Sequence, residues 1–158
     1  MDFDTVSFRK ALGCFPTGIA VVTAGEGAEA KGITVNSFTS VSLKPPLVLW
    51  CLGKNSSRYE IFTKPVDFTI SILSEAERAI STQLASGPDC SLTGLPLVEM
   101  QNGAPGIAGA LTILECQRET IHDAGDHIII LASVLRFTSR EDGAPLVYFR
   151  GRYGALMG

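Results

Sequence analysis

Residues 111–137 read LTILECQRETIHDAGDHIIILASVLRF. Two long runs rich in β-branched and apolar residues, 111–121 and 127–137, flank Asp123-Ala124-Gly125-Asp126. Turn formers between two such runs specify an antiparallel hairpin. The apolar run starting at His127 is far shorter than the roughly 20 residues that a membrane helix needs, so it is read as a buried strand. Working outward, residues 67–73 alternate Phe68, Ile70 and Ile72 against Thr69 and Ser71. Residues 47–52 form an apolar run opened by Pro45 and Pro46. Residues 19–23 and 32–38 read as strands around a Gly25–Gly27 turn, with 40–43 continuing the second. Residues 145–149 make a last short strand. About seven strands fit a closed, mostly antiparallel barrel.

Three short helices complete the expectation. The first starts after Asp4, a good N-cap, presents Phe8, Ala11 and Leu12 on one face and stops at Gly13. Ser57-Arg58-Tyr59-Glu60 has the capping-box spacing and precedes a helix that ends before Pro65. Ser74-Glu75-Ala76-Glu77 has the same spacing and opens a helix through Ile80 and Leu84 to Gly87. Residues 87–109 hold five Gly and three Pro and read as one long loop inside the domain.

The 158 residues are 46% hydrophobic and 18% charged, with a net charge of -3. Mean hydropathy is +0.25 and the pI about 5.3. That balance excludes disorder for the whole chain and points to one domain over residues 1–158. Little charged surface suggests an apolar face covered in an oligomer. No stretch concentrates Lys or Arg, so neither nucleic acid nor an anionic membrane is the expected partner. The first ten residues carry two acids and no apolar core, unlike a secretion signal, so the expected location is cytoplasmic. Cys14, Cys51, Cys90 and Cys116 form no CxxC pair. With only two histidines beside them they make a poor metal set and read as reduced, mostly buried thiols.

P-loop, nucleophile-elbow and zinc-protease motifs are all missing. Four segments carry the remaining chemistry. Residues 34–42 place Thr34, Asn36, Ser37, Thr39 and Ser40 on a strand. Short amides and hydroxyls suit a flat polar heterocycle such as isoalloxazine, and they equally suit a solvated strand face. Residues 52–58 combine Gly53 with Lys54, Ser56, Ser57 and Arg58 at a helix start, which fits a phosphate or an ordinary cap with exposed basic residues. Gly125-Asp126-His127 places a histidine at a turn, either exposed or beside a redox ring. Residues 148–154 gather Tyr148, Arg150, Arg152 and Tyr153 around glycine, a polar-aromatic tail or a solvated edge.

Together and in this order, Phe15-Pro16-Thr17-Gly18, the 32–43 strand, Pro45-Pro46-Leu47-Val48, Gly125-Asp126-His127 and the segment from Tyr148 to Tyr153 resemble the short-chain flavin reductase family. The likeness runs from about Phe8 to Tyr153. It implies a mainly β, FMN-binding split β-barrel, antiparallel and Greek-key-like, with a few short peripheral helices. It implies a homodimer with flavin sites near the subunit interface. It also implies NAD(P)H:flavin oxidoreduction, with FMN or FAD as flavin and NADH or NADPH as hydride donor. Reduced flavin would go to a separate monooxygenase component. Carried over, Thr34, Asn36, Ser37, Thr39 and Ser40 would line the flavin ring and ribityl chain. Residues 51–57, with Cys51, Lys54, Ser56 and Ser57, would meet the phosphate end. His127 would lie near nicotinamide and flavin, as the one catalytic residue, and Arg152 and Tyr153 would close the site. The chain departs from the family at Lys44 and in residues 83–90, which lack the usual aromatics. A barrel that reduces ferric chelates or a cobalt corrinoid, or a flavin carrier or sensor without turnover, are the alternatives.

Overall fold

A computed structural model describes residues 2–86 and 89–157. Its order is α1 (Thr5–Leu12), β1 (Thr17–Gly18), β2 (Ala20–Ala24), β3 (Lys31–Val35), β4 (Thr39–Leu43), β5 (Pro46–Gly53), α2 (Tyr59–Thr63), β6 (Asp67–Ile72), α3 (Arg78–Ala85), β7 (Leu97–Val98), β8 (Gly106–Ile107), β9 (Thr112–Ala124), β10 (His127–Ser139), β11 (Val147–Phe149) and β12 (Arg152–Gly154). Seven strands form one antiparallel sheet in the order β3-β2-β6-β9-β10-β5-β4. Among the described residues no helix is long and apolar enough to cross a membrane.

The sheet order forces curvature. β3 and β4 lie on opposite edges, yet only residues 36–38 separate them. Seven strands laid flat would put those edges about 29 Å apart. Four residue steps reach at most about 14 Å. The sheet therefore curls until its edges nearly meet, as a barrel with a seam. Residues 32–43 are thus two strands, where the sequence reads as one continuing strand. The run of short amides and hydroxyls continues through Asn36 and Ser37 into Thr39 and Ser40, which hides the break.

One sheet face fills the barrel. Trp50 is fully buried, edge-on to Phe62 at 5.9 Å and to Phe68 at 6.0 Å, with Val22, Ile70, Ile128 and Ile130 around it. The other face of β2 and β6 is covered by a second layer that includes Leu73, Leu84, Ile107 and Leu146. The hydroxyls on that face are therefore buried and bonded. Thr69 Oγ1 donates to the Ala104 carbonyl at 2.8 Å, and Ser71 Oγ accepts from the Ile107 N–H at 3.0 Å. They supply partners that a coil pressed onto a sheet needs.

Several local readings hold. Asp4 caps α1, accepting from the Val6 and Ser7 N–H groups. The Ser74 capping box is present and opens a 3₁₀ turn, Glu75–Glu77, that runs into α3. The expected end at Gly87 lies outside the described residues. β9 and β10 are longer than expected and turn at Gly125, whose φ of 68° lies in the left-handed region. The Ser57 capping box is not formed. α2 begins at Tyr59 without a side-chain cap, and Ser56 Oγ accepts the Arg58 N–H at 3.1 Å instead. Arg58 is buried, not exposed, and donates to the Leu84 carbonyl at 2.6 Å, which pins the chain before α2. All four cysteines are free thiols. Cys90 and Cys116 are buried, Cys51 is half-buried and Cys14 is exposed.

Buried Glu115, paired with exposed Arg136, holds the 100–107 segment to the barrel. Glu115 accepts from Arg136 Nε at 2.8 Å and from the Asn102 N–H at 2.8 Å. The Arg136 hydrogen bond, opposed by burial and aided by Asn102, holds its carboxyl below the ordinary value. A lowered folded pKa gives stability that is full above the unfolded glutamate value, about 4.3, and is lost as pH falls through the folded value. Glu115→Gln is expected to cost about 2 kcal/mol at pH 7, as for other charged hydrogen bonds. Thermal melts should show that difference shrinking from pH 7 towards pH 3.

Candidate active site at the barrel seam

β4 pairs with β5 only as far as Leu49. Beyond it the edge of β5 is open to residues 36 and 37, and there the barrel has a cleft of about 240 Å³. Thr34, Asn36, Ser37, Cys51, Ser56 and His127 all line it. They arrive from β3, the 36–38 connection, β5, the turn after β5 and the start of β10. The closing of the sheet is what brings them together.

Ser37 stitches the seam. Its hydroxyl accepts the Cys51 N–H at 2.9 Å and donates to the Cys51 carbonyl at 3.3 Å. It replaces the ladder partner that β4 no longer provides, and one lone pair remains. Thr34 Oγ1 is turned to α3, where it donates to the Ser81 carbonyl at 2.7 Å. Asn36 is exposed, and its amide has no protein hydrogen bond among the described residues. Cys51 is half-buried, and burial, partly offset by Ser37, raises its thiol above the ordinary value. It is therefore a neutral thiol near pH 7, not a thiolate nucleophile.

His127 faces the cleft from the turn. It lies opposite Gly53 across β10 and β5. A Cβ on Gly53 would sit 3.9 Å from His127 Nε2, so the missing side chain leaves room against the imidazole. Nδ1 bonds Asp126 Oδ1 at 2.7 Å. That hydrogen bond first, and the histidine charge second, hold the Asp126 carboxyl below the ordinary value. With Nδ1–H donated to Asp126, Nε2 is the nitrogen free to act in the cleft. Gly53→Leu should fill this space. If the cleft holds the flavin that the resemblance implies, fluorescence titration with FMN should show at least a tenfold loss of affinity, with Tm little changed because Gly53 is an ordinary strand residue.

The other candidates lie elsewhere. Thr39 and Ser40 are exposed on β4. Lys54 adjoins the cleft, but its ammonium pairs with Asp123 at 3.2 Å. Ser57 and Arg152 are exposed. Tyr153 shares a hydrogen bond with the Ser81 hydroxyl at 2.7 Å, and Arg78 lies 5.2 Å above its ring. It lines a separate cavity with Glu75 and Leu146. Ser81, absent from the sequence candidates, thus joins Thr34 to Tyr153. Its only sequence signal is a hydroxyl one helical turn before Leu84, on the buried face of α3.

The cleft offers uncharged amide, hydroxyl and main-chain groups beside one imidazole. That chemistry fits a flat heterocycle with alternating donors and acceptors, held at the seam of a split barrel. The family described as "Flavin reductase like domain" matches residues 12–157. The chain belongs to the flavin reductase-like family. It is 45% identical over 148 residues to the FMN reductase (NADH) SmoA of Agrobacterium fabrum, covering 94% of this chain and 84% of that protein. It is 34% identical to the reductase component of 4-hydroxyphenylacetate 3-monooxygenase of Thermus thermophilus, covering 96% of each. Its fold matches the NADH:FAD oxidoreductase SgcE6 of Streptomyces globisporus C-1027, solved in complex with NAD and FAD fragments. There the TM-score is 0.92 at 36% identity, with 98% of this chain and 93% of that one covered.

Proposed function

We propose that the protein is an NAD(P)H-dependent flavin reductase that takes FMN or FAD and hands reduced flavin to a separate monooxygenase. The observation that carries this reading is the seam cleft, where Asn36, Ser56 and His127 meet in a member of the flavin reductase-like family. When bound, flavin supplies the hydride-accepting N5 and the nicotinamide nucleotide the hydride at C4. The chain's own work is alignment and charge control. Asn36 has a free amide for ring heteroatoms. The main chain near Cys51 and the Gly53–Ser56 turn meets the ribityl and phosphate end, with Lys54, Ser56 and Ser57 as donors. His127 Nε2 orients the nicotinamide or holds a proton, its ring fixed by Asp126. Thr39 and Ser40 on β4, and Arg152 and Tyr153 on β12, complete the site when a second chain closes it.

The working form is a homodimer of one domain spanning residues 1–158, in the cytoplasm. Support for the dimer comes from α1, which buries none of its residues, and from exposed Phe15, Leu43 and Phe137. The test is steady-state oxidation of NADH and NADPH with and without added FMN or FAD. Turnover that depends on flavin is expected. A protein that binds flavin and oxidises neither nucleotide would be a carrier and would contradict the proposal.

A further inference from the structure

No linear stretch of this chain is basic, yet folding gathers cations at one place. Arg9 and Lys10, in the last turn of α1, meet Arg150 around a cavity of about 420 Å³. Arg152 stands across the β11–β12 hairpin from Phe149. Among the described residues none of these four cations has an ion pair, although Lys54, Lys64, Arg136 and Arg140 all do. The two segments are fastened together, because the Arg150 N–H donates to the Gly13 carbonyl at 2.8 Å. The Arg150 guanidinium lies 5.0 Å from the Phe149 ring centre, so it presents a flat cationic face over carbon.

Arg150 also has a backbone that an arginine disfavours. Its φ is 51°, and among the described residues it is the one non-glycine with positive φ. It shares a two-residue turn with Gly151, at φ 75°, in a place where glycine or asparagine is the relaxed choice. Strained residues cluster at functional sites, which directs attention to this cavity rim.

We infer that this cavity is an anion site for the phosphates of an adenine nucleotide. Arg150, Arg9 and Lys10, which line the cavity, hold the charge. The inference rests on the reductase reading for the identity of that nucleotide. The hairpin links the two places. Tyr153, tied through Ser81 to Thr34 of the cleft, is about 7 Å along the strand from the Arg150 turn. The adenylate belongs to the nicotinamide nucleotide or to FAD, and the test distinguishes the two sources.

ADP, titrated by calorimetry into the whole protein, is the probe, with Arg150→Gly as the main variant. Glycine relaxes the turn, so Tm should hold or rise while ADP affinity falls about tenfold or more. Arg150→Lys should recover part of the loss. A rise in KM for NADH, with FMN as acceptor, assigns the site to the nicotinamide nucleotide. A rise for FAD but not for FMN assigns it to the flavin. Equal ADP affinity in wild type and Arg150→Gly, or no ADP binding at all, overturns the inference. A lower Tm with unchanged affinity also overturns it, marking Arg150 as structural. Absence of nicotinamide oxidation with any flavin defeats the reductase reading, while the ADP titration still decides the site.

Discussion

His127→Ala should lower kcat for flavin-dependent NADH oxidation by about 10²-fold, within the range for a positioned acid–base or hydrogen-bonding group. His127 is about half exposed and its bonded neighbour Asp126 more so, so the fold should not register the change. Tm and the far-ultraviolet circular dichroism are expected to match wild type. The imidazole matters because of where β10 starts. The Gly125 turn delivers His127 opposite Gly53, at the end of β5 that runs on past its pairing with β4. Asp126→Asn should lose less, about tenfold, because an amide oxygen still accepts from Nδ1–H while the charge is gone. Unchanged kinetics for His127→Ala would remove this residue from the mechanism.

Trp50→Ala should produce the largest loss of stability, about 4 kcal/mol. For a domain of this size that is a fall in Tm of roughly 8–16 °C. Trp50 is fully buried at the centre of the barrel, and two aromatic rings meet it edge-on. A void there loosens β5, which forms one wall of the seam. The indole N–H is buried without a hydrogen-bond partner among the described residues. Trp50→Phe removes that orphan donor as well as some volume, so its cost should be far smaller. Thermal melts followed by circular dichroism separate the two variants. Equal losses would mean that the indole itself, which both variants lack, governs the site and not the filled volume.

These expectations trace back unevenly to the sequence. The 111–137 hairpin, the Asp4 cap and the Ser74 capping box are local, and each is readable from a short pattern. The barrel seam is not local. Residues 34–42 stay rich in short amides and hydroxyls throughout, and only the pairing of β4 with β5 shows that the chain leaves one sheet edge and joins the other. The strands β1, β7, β8 and β12 are two or three residues long and carry no periodicity to detect. At the site, residue type marked Thr34, Asn36, Ser37, Ser56 and His127, the family resemblance added Cys51, and the seam brings all six together. Type could not show that Ser37 is engaged by the Cys51 main chain, or that Tyr153 is held by Ser81. Those bonds join residues 14 and 72 positions apart. The burial of Arg58 was hidden for the same reason, since its acceptor lies on α3.

The most direct measurement is a crystal structure of the protein with FMN. The account predicts ring density in the seam, with Asn36 and the main chain near Cys51 within hydrogen-bond distance and His127 Nε2 facing the same space. Ring density elsewhere, such as the cavity beside Glu75 and Tyr153, with the seam left empty, would contradict it.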